Sequence, residues 1–152
     1  MSLFLVQHGK NLSKDVDPEK GLSGEGKNEV QGIAALAGEH RISISVIRHS
    51  GKKRARETAE IFAQFINPGG GVQEIKGLAP LDDVTKLGLK SDENLMLVGH
   101  LPFMEKLTSY LVTGSPDRPP VLKFQNGGIV CLDLDEETNS WFIKWTVFPG
   151  MS

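Results

Sequence analysis

Two of the four histidines stand directly after short apolar runs, in Val6-Gln7-His8-Gly9 and Val98-Gly99-His100. A neutral imidazole is a nucleophile and a proton carrier near pH 7, and cations placed beside it stabilise an anionic group in transfer. A third apolar run leads into Arg48-His49-Ser50-Gly51 and then into Lys52-Lys53-Arg54-Ala55-Arg56-Glu57-Thr58-Ala59. A single histidine more often serves packing or solvent than chemistry. Two in matching settings, each beside a glycine, point to a site, because Gly9 and Gly99 let backbone approach a ligand closely. A metal centre is the competing chemistry, but neither histidine belongs to an HxH, HxxxH or HExxH spacing, so no metal site is expected. Among the basic residues, Lys52, Lys53 and Arg56 read as a solvated helix face. Arg54 differs, since Ala55 and Thr58 beside it lie on the apolar side, and its planar fork suits phosphate oxygens.

These residues need elements to bring them together. The run at 3–6 reads as a buried parallel strand, and 7–22 as a long functional loop. Ser23 is a helix N-cap with Glu25 in the first turn; Val30, Ile33, Ala34 and Ala37 follow at helical spacing, and Gly38 ends the helix. A second strand is expected at 42–47, a helix from about 52 to 66 stopped by Asn67-Pro68-Gly69-Gly70, and a short strand at 72–75. A short helix is expected at 83–90, and a strand at 95–98. Pro102 then opens a helix that ends at Gly114. Three late strands are expected at 121–124, 129–134 and 141–148, the last two joined by a turn over 135–139. Strands alternating with helices argue for one α/β domain over 1–152, with a mainly parallel central sheet covered by helices on both faces. In such sheets ligands bind beyond the carboxyl ends of the strands, which is where His8, Ser50 and His100 would converge.

Composition narrows the class. The chain has 152 residues, 39% hydrophobic and 24% charged, which fits one globular domain with a core of its own. The single cysteine, Cys131, allows no internal disulfide and suits a reducing compartment. No run reaches the roughly 20 apolar residues of a membrane span, and the N-terminus lacks the pattern of a signal peptide. The expected compartment is cytoplasmic. A net charge of −2 gives no general attraction to nucleic acid or to acidic membranes, and neither is expected as a partner.

Taken in order, the motifs resemble those of the histidine phosphatase superfamily, and within it the short SixA-like phosphohistidine phosphatase branch, whose domain is phosphoglycerate-mutase-like. The first signature, a strand followed by Arg-His-Gly or Arg-His-Ala, corresponds to Val6-Gln7-His8-Gly9. Asp17 to Gly26, with Leu22-Ser23-Gly24-Glu25-Gly26, is similar to the family's loop and helix start. Ser50, Arg54, Ala55, Thr58 and Ala59 meet Ser-x-x-x-Arg-Ala-x-x-Thr-Ala in full. Val98-Gly99-His100-Leu101-Pro102 and Phe124 to Ile129 complete the series, which runs from residue 3 to about 148.

The resemblance implies His8 as the nucleophile that takes the phosphoryl group, His100 as the second pocket histidine and Arg54 as the phosphate clamp. It adds Gln7, Gly9, Lys10 and Ser50 as phosphate-binding candidates. Asp82 or Asp83 would be the proton donor, with a surface turn as the plainer role for both. No cofactor is implied. The implied substrate is phosphohistidine on a protein; a small phosphorylated metabolite is the alternative, and the short segment over 70–93 leaves little room for the lid such a substrate would need. One position departs from the pattern: Gln7 replaces the family's arginine, and losing one donor of this kind costs about 3 kcal/mol in the transition state. Lys10, Arg48 or Lys52 would restore part of the charge in a slow or narrowly specific phosphatase. The other outcome is a phosphoryl-binding regulatory module without turnover.

Overall fold

A computed structural model of the chain describes residues 1–89 and 94–150. The first strand, β1 (Ser2–Gln7), is continuous with the apolar run that defines it, and Leu5 and Val6 are fully enclosed. Helix α1 (Gly24–Glu39) starts where Ser23 accepts a hydrogen bond from the Gly26 amide, 3.0 Å. Strand β2 (Val46–His49), helix α2 (Lys53–Ile66) and the short strand β3 (Val72–Glu74) follow. Asn67 closes α2 in the left-handed conformation, φ 52°. Strand β4 (Leu95–Gly99) leads into α3 (Phe103–Thr113), closed by Gly114 at φ 84°. The chain ends in a hairpin of β5 (Ile129–Asp135) and β6 (Ser140–Val147).

The six strands form one sheet in the order β3-β2-β4-β1-β5-β6. The first four are parallel, and the hairpin adds two antiparallel strands beside β1. The sheet is therefore mixed, and "mainly parallel" describes only its β3-β2-β4-β1 half. Side chains alternate between two cores, as strand geometry requires. Phe4, Val6, Ile47, Met96 and Val98 pack with α1 and α2 through Val30, Ile33, Ala59 and Phe62. Leu3, Leu5, Leu95 and Leu97 pack on the other face with Phe103, Met104 and Leu107 of α3. Helices cover both faces, as the alternation of elements implied.

Four expectations need correction. Residues 121–124 are not a strand. Prolines 119 and 120 remove two backbone donors just before them, and the Phe124 amide donates to Glu105 Oε2 (3.1 Å) on α3 instead of to a neighbouring strand. The second strand begins at Val46, not at 42: Ile42 still bonds back to Ala37 at the end of α1, so Ile44 is buried by packing without strand pairing. The short helix expected at 83–90 is a single 3-10 turn, Val84–Lys86, capped by Asp83; residue 90 lies outside the described residues. Gly38 does not end α1, which continues to Glu39. A Cβ at Gly38 would stand 2.9 Å from the Phe65 carbonyl oxygen, so the glycine lets α1 and α2 approach closely.

Phe62 joins α2 to this core and is fully buried. Phe62→Ala is expected to lower stability by about 3–5 kcal/mol, read from urea unfolding. Phe142→Ala, at an exposed position on β6, is the control and should cost no more than about 0.5 kcal/mol.

Candidate active site

The pairing of β1 with β4 sets Gln7 beside Gly99. One step further, the His8 amide donates to the Gly99 carbonyl, 3.0 Å. The two imidazoles that follow have ring centroids 5.1 Å apart, tilted by 50°. Both side chains are buried, His8 at 8% and His100 at 2% exposure.

The backbone around His8 is held from three directions. The Gly9 amide donates to Thr58 Oγ1 (3.0 Å), whose own proton goes to the Arg54 carbonyl (2.7 Å), so α2 grips the loop after β1. Asn126 Nδ2 donates to the His8 carbonyl, 3.0 Å, and the Gly127 amide donates to the Gln7 carbonyl, 2.9 Å. His8 Nδ1 lies 2.7 Å from the Gly9 carbonyl oxygen. A carbonyl only accepts, so Nδ1 carries the proton, and Nε2, which has no hydrogen-bond partner among the described residues, keeps its lone pair. Burial pushes the His8 pKa down to about 4, with the charge of Arg54 adding to the effect. At neutral pH this ring is uncharged.

His100 is placed by a different contact. Its Nε2 is 2.6 Å from Ser50 Oγ, in the loop between β2 and α2. Its Nδ1 is buried with no partner among the described residues. Burial lowers its pKa to about 3, helped by the nearness of His8 and by the charges of Arg54 and Lys52. Both rings therefore register the Arg54 guanidinium. That guanidinium sits partly buried at the start of α2, with no carboxylate partner among the described residues, and burial lowers its pKa as well. The α2 N-terminus adds amide donors on the same side.

The remaining candidates fall into two groups. Gln7 and Ser50 belong with the histidines: Gln7 is buried, and its Oε1 has no hydrogen-bond partner among the described residues. An unmatched polar atom of this kind costs about 1–3 kcal/mol, and two of them, Gln7 Oε1 and His100 Nδ1, lie at the ends of neighbouring strands. Lys10 is engaged elsewhere, its Nζ held by Glu25 (2.8 Å) and Glu29 (3.5 Å). Arg48 Nε donates to Gln73 Oε1, 3.2 Å. Asp82 Oδ2 accepts from the Ala79 amide, 2.8 Å, and Asp83 Oδ1 accepts from the amide and hydroxyl of Thr85, which holds Asp83 below its ordinary pKa. Neither carboxylate has a hydrogen bond to His8, His100 or Arg54 among the described residues.

Residues not singled out from the sequence organise the loop at 10–22. Asp17 accepts from Lys53 Nζ, the Gly21 amide and the Glu19 amide, which holds its pKa down to about 2. Glu57 Oε1 accepts from the Leu22 amide, 2.8 Å. These contacts dock the loop on α2. The acidic residues of the loop were visible in the sequence; their partners were not.

No model of a known protein family matches the sequence, and no curated protein does. Solved structures do. The protein histidine phosphatase SixA, in a complex with tungstate, superposes with a TM-score of 0.81 over 98% of this chain and 97% of that one, at 23% identity. A protein assigned as the phosphohistidine phosphatase SixA of Agrobacterium tumefaciens gives 0.75 over 97% of both chains at 24% identity. A mycobacterial glucosyl-3-phosphoglycerate phosphatase with bound VO3 gives 0.70 over 95% of this chain and 97% of that one, at 16% identity. The chain has the histidine phosphatase fold. In that fold the two histidines of this chain stand at the carboxyl ends of adjacent central strands, where an α/β sheet presents its ligand site.

The site carries a pH signature. In the unfolded chain both histidines titrate near 6.5, whereas in the folded chain they resist protonation down to about 4 and about 3. As pH falls below 6.5 the unfolded state takes up protons that the folded state refuses, so stability is lost across that window at up to about 1.4 kcal/mol per unit for each ring. The urea midpoint is expected to drop steeply between pH 6.5 and 4, and His100→Gln should flatten the slope. An equal slope in the variant would remove His100 from this account.

Proposed function

We propose that the chain is a phosphatase of the histidine phosphatase superfamily, acting on phosphohistidine carried by a protein through a covalent intermediate on His8. The observation that carries this reading is the His8 ring itself: proton committed to Gly9, Nε2 unpartnered, His100 5.1 Å away and the charge of Arg54 acting on both rings. The Nε2 lone pair attacks phosphorus as the P–N bond to the substrate imidazole breaks, and that imidazole leaves with its electron pair and takes a proton from solvent water. Water then attacks phosphorus, the bond to His8 breaks, and neutral His8 and inorganic phosphate remain. Arg54, the His100 ring and the α2 amides oppose the charge on the transferring oxygens. Tungstate and VO3 in two of the similar structures are oxyanions of phosphoryl shape, which agrees with an anion site in this fold.

A protein substrate fits the open rim. The segment between β3 and β4 uses Leu78 and Val84 in the core and leaves Leu81 86% exposed, so its described part supplies no lid. An imidazole is also a good leaving group, which reduces the need for a strong acid where Asp82 and Asp83 are both committed to turns. A second reading, a phosphoryl-binding module without turnover, is favoured by Gln7, an uncharged residue with an unmatched oxygen where the family carries an arginine.

Purified protein incubated with a phosphohistidine-bearing protein and, separately, with p-nitrophenyl phosphate separates the readings. Turnover is expected, lost by at least about 10³-fold in His8→Ala and by about 10²–10³-fold in Arg54→Ala. Turnover that survives His8→Ala would remove the covalent route. A silent native chain that gains activity in Gln7→Arg would establish the binding module.

A further inference from the structure

Ser50 was expected to touch phosphate; its contacts assign it another task. The hydroxyl has one proton and two lone pairs. Oγ accepts the Lys52 amide at 3.4 Å and stands 2.6 Å from His100 Nε2. If Nε2 carried the ring proton, Ser50 would have no protein acceptor for its own proton among the described residues. His100 would also present a buried lone pair at Nδ1. If Ser50 donates, the bonds run in one direction, from the Lys52 amide to Oγ and from Oγ to Nε2. The ring proton then lies on Nδ1, the atom left buried without a partner.

The loop that carries Ser50 is itself fixed. The Gly51 amide donates to His49 Nδ1, 3.0 Å, and Gly51 adopts φ 92°, a conformation that favours glycine. His49 is buried at the end of β2, which pairs in parallel with β4 so that His49 stands opposite Val98. Ser50 is thus held against His100 by the same sheet that places the ring.

We propose that Ser50 is a positioning residue: its hydroxyl donates to His100 Nε2, fixes the Nδ1–H tautomer, and leaves that N–H as the donor that meets a phosphoryl oxygen. The first two statements stand on the contacts alone, and the last rests on the phosphatase reading above. In this arrangement a neutral ring serves as a donor without bringing a further charge into a buried pocket. A ring of the opposite tautomer would turn a lone pair toward an anion and repel it.

The test uses the full-length protein with ¹⁵N-labelled histidine, as native chain, Ser50→Ala and Ser50→Thr. Ring nitrogen shifts at pH 7.5 are expected to show His100 protonated on Nδ1 in the native protein and in Ser50→Thr, and a mixed tautomer in Ser50→Ala. Inorganic phosphate should bind Ser50→Ala several-fold more weakly, with recovery in Ser50→Thr. On p-nitrophenyl phosphate, kcat should fall about tenfold or more in Ser50→Ala, with the pH profile unmoved in Ser50→Thr. A native His100 protonated on Nε2, or a tautomer unchanged in Ser50→Ala, overturns the proposal. If the native chain turns over no phosphoryl substrate, the hydrolase reading fails, while the ring shifts and the phosphate titration still decide the role of Ser50.

Discussion

The register between β1 and β4 is the constraint on which the rest of the molecule depends. Leu3 to Gln7 pair with Leu95 to Gly99 in parallel, and the ladder ends in the bond from the His8 amide to the Gly99 carbonyl. A slip of one residue would turn the leucines of the slipped strand, Leu3 and Leu5 or Leu95 and Leu97, toward the wrong core and move one imidazole away from the other. Because each face of the sheet is buried under its own helices, such a slip would expose or misplace several large apolar side chains at about 1.5–3 kcal/mol each. The distance between the two rings is therefore enforced by the hydrophobic pattern of the strands that carry them. This is how the fold holds two imidazoles in a geometry they would not choose for themselves.

Electrostatics works against that geometry and is resolved by neutrality. Burial alone disfavours charge on either ring, Arg54 raises the cost of charging both, and His8 and Lys52 raise it further for His100. The outcome is a pocket with one guanidinium and two uncharged imidazoles. Donors are then supplied by direction of protons as much as by charge: the Gly9 carbonyl fixes the proton of His8, and Ser50 contacts His100. Lys10 and Lys53 stand nearby in the chain, but Glu25 and Asp17 engage their ammonium groups, so these cations serve the loop at 10–22. Neutral rings also leave the site dependent on pH in a way that a set of permanent charges would not be.

Much of this was legible in the residues. The runs at 3–6 and 95–98 read as buried strands because they are short, continuous and apolar, and both are. The strand ends could then be recognised as the site's edge, and Arg54 could be separated from its basic neighbours by the apolar face it shares with Ala55 and Thr58. The misreadings have one cause in common. Residues 42–45 and 121–124 carry apolar side chains at strand spacing, but only Ile44 and Phe124 of them are buried, each by packing and not by strand pairing, and hydrophobicity does not distinguish the two kinds of burial. The contacts that set proton positions were hidden for another reason. Ser50 meets His100 across 50 residues, Gly9 meets Thr58 across 49, and Asn126 meets His8 across 118, and no local spacing encodes such pairs.

Gln7 is where the two levels meet. From the sequence it is a missing arginine; in the fold it is a buried amide whose oxygen has no partner, beside the strand end that carries His8. An arginine there would add a second full charge to a pocket that already keeps two rings neutral, and burial would oppose it as it opposes charge on His8. A glutamine relieves that opposition but removes the forked donor and the attraction it offers a dianion. The balance favours phosphoryl groups that need less charge stabilisation to leave, those on a good leaving group above all. A phosphoramidate such as phosphohistidine is of that kind, and an alkyl phosphate is not. If the chain is the phosphatase proposed above, Gln7 would narrow the chemistry of the pocket, weakening it toward alkyl phosphates while leaving the P–N bond within its reach.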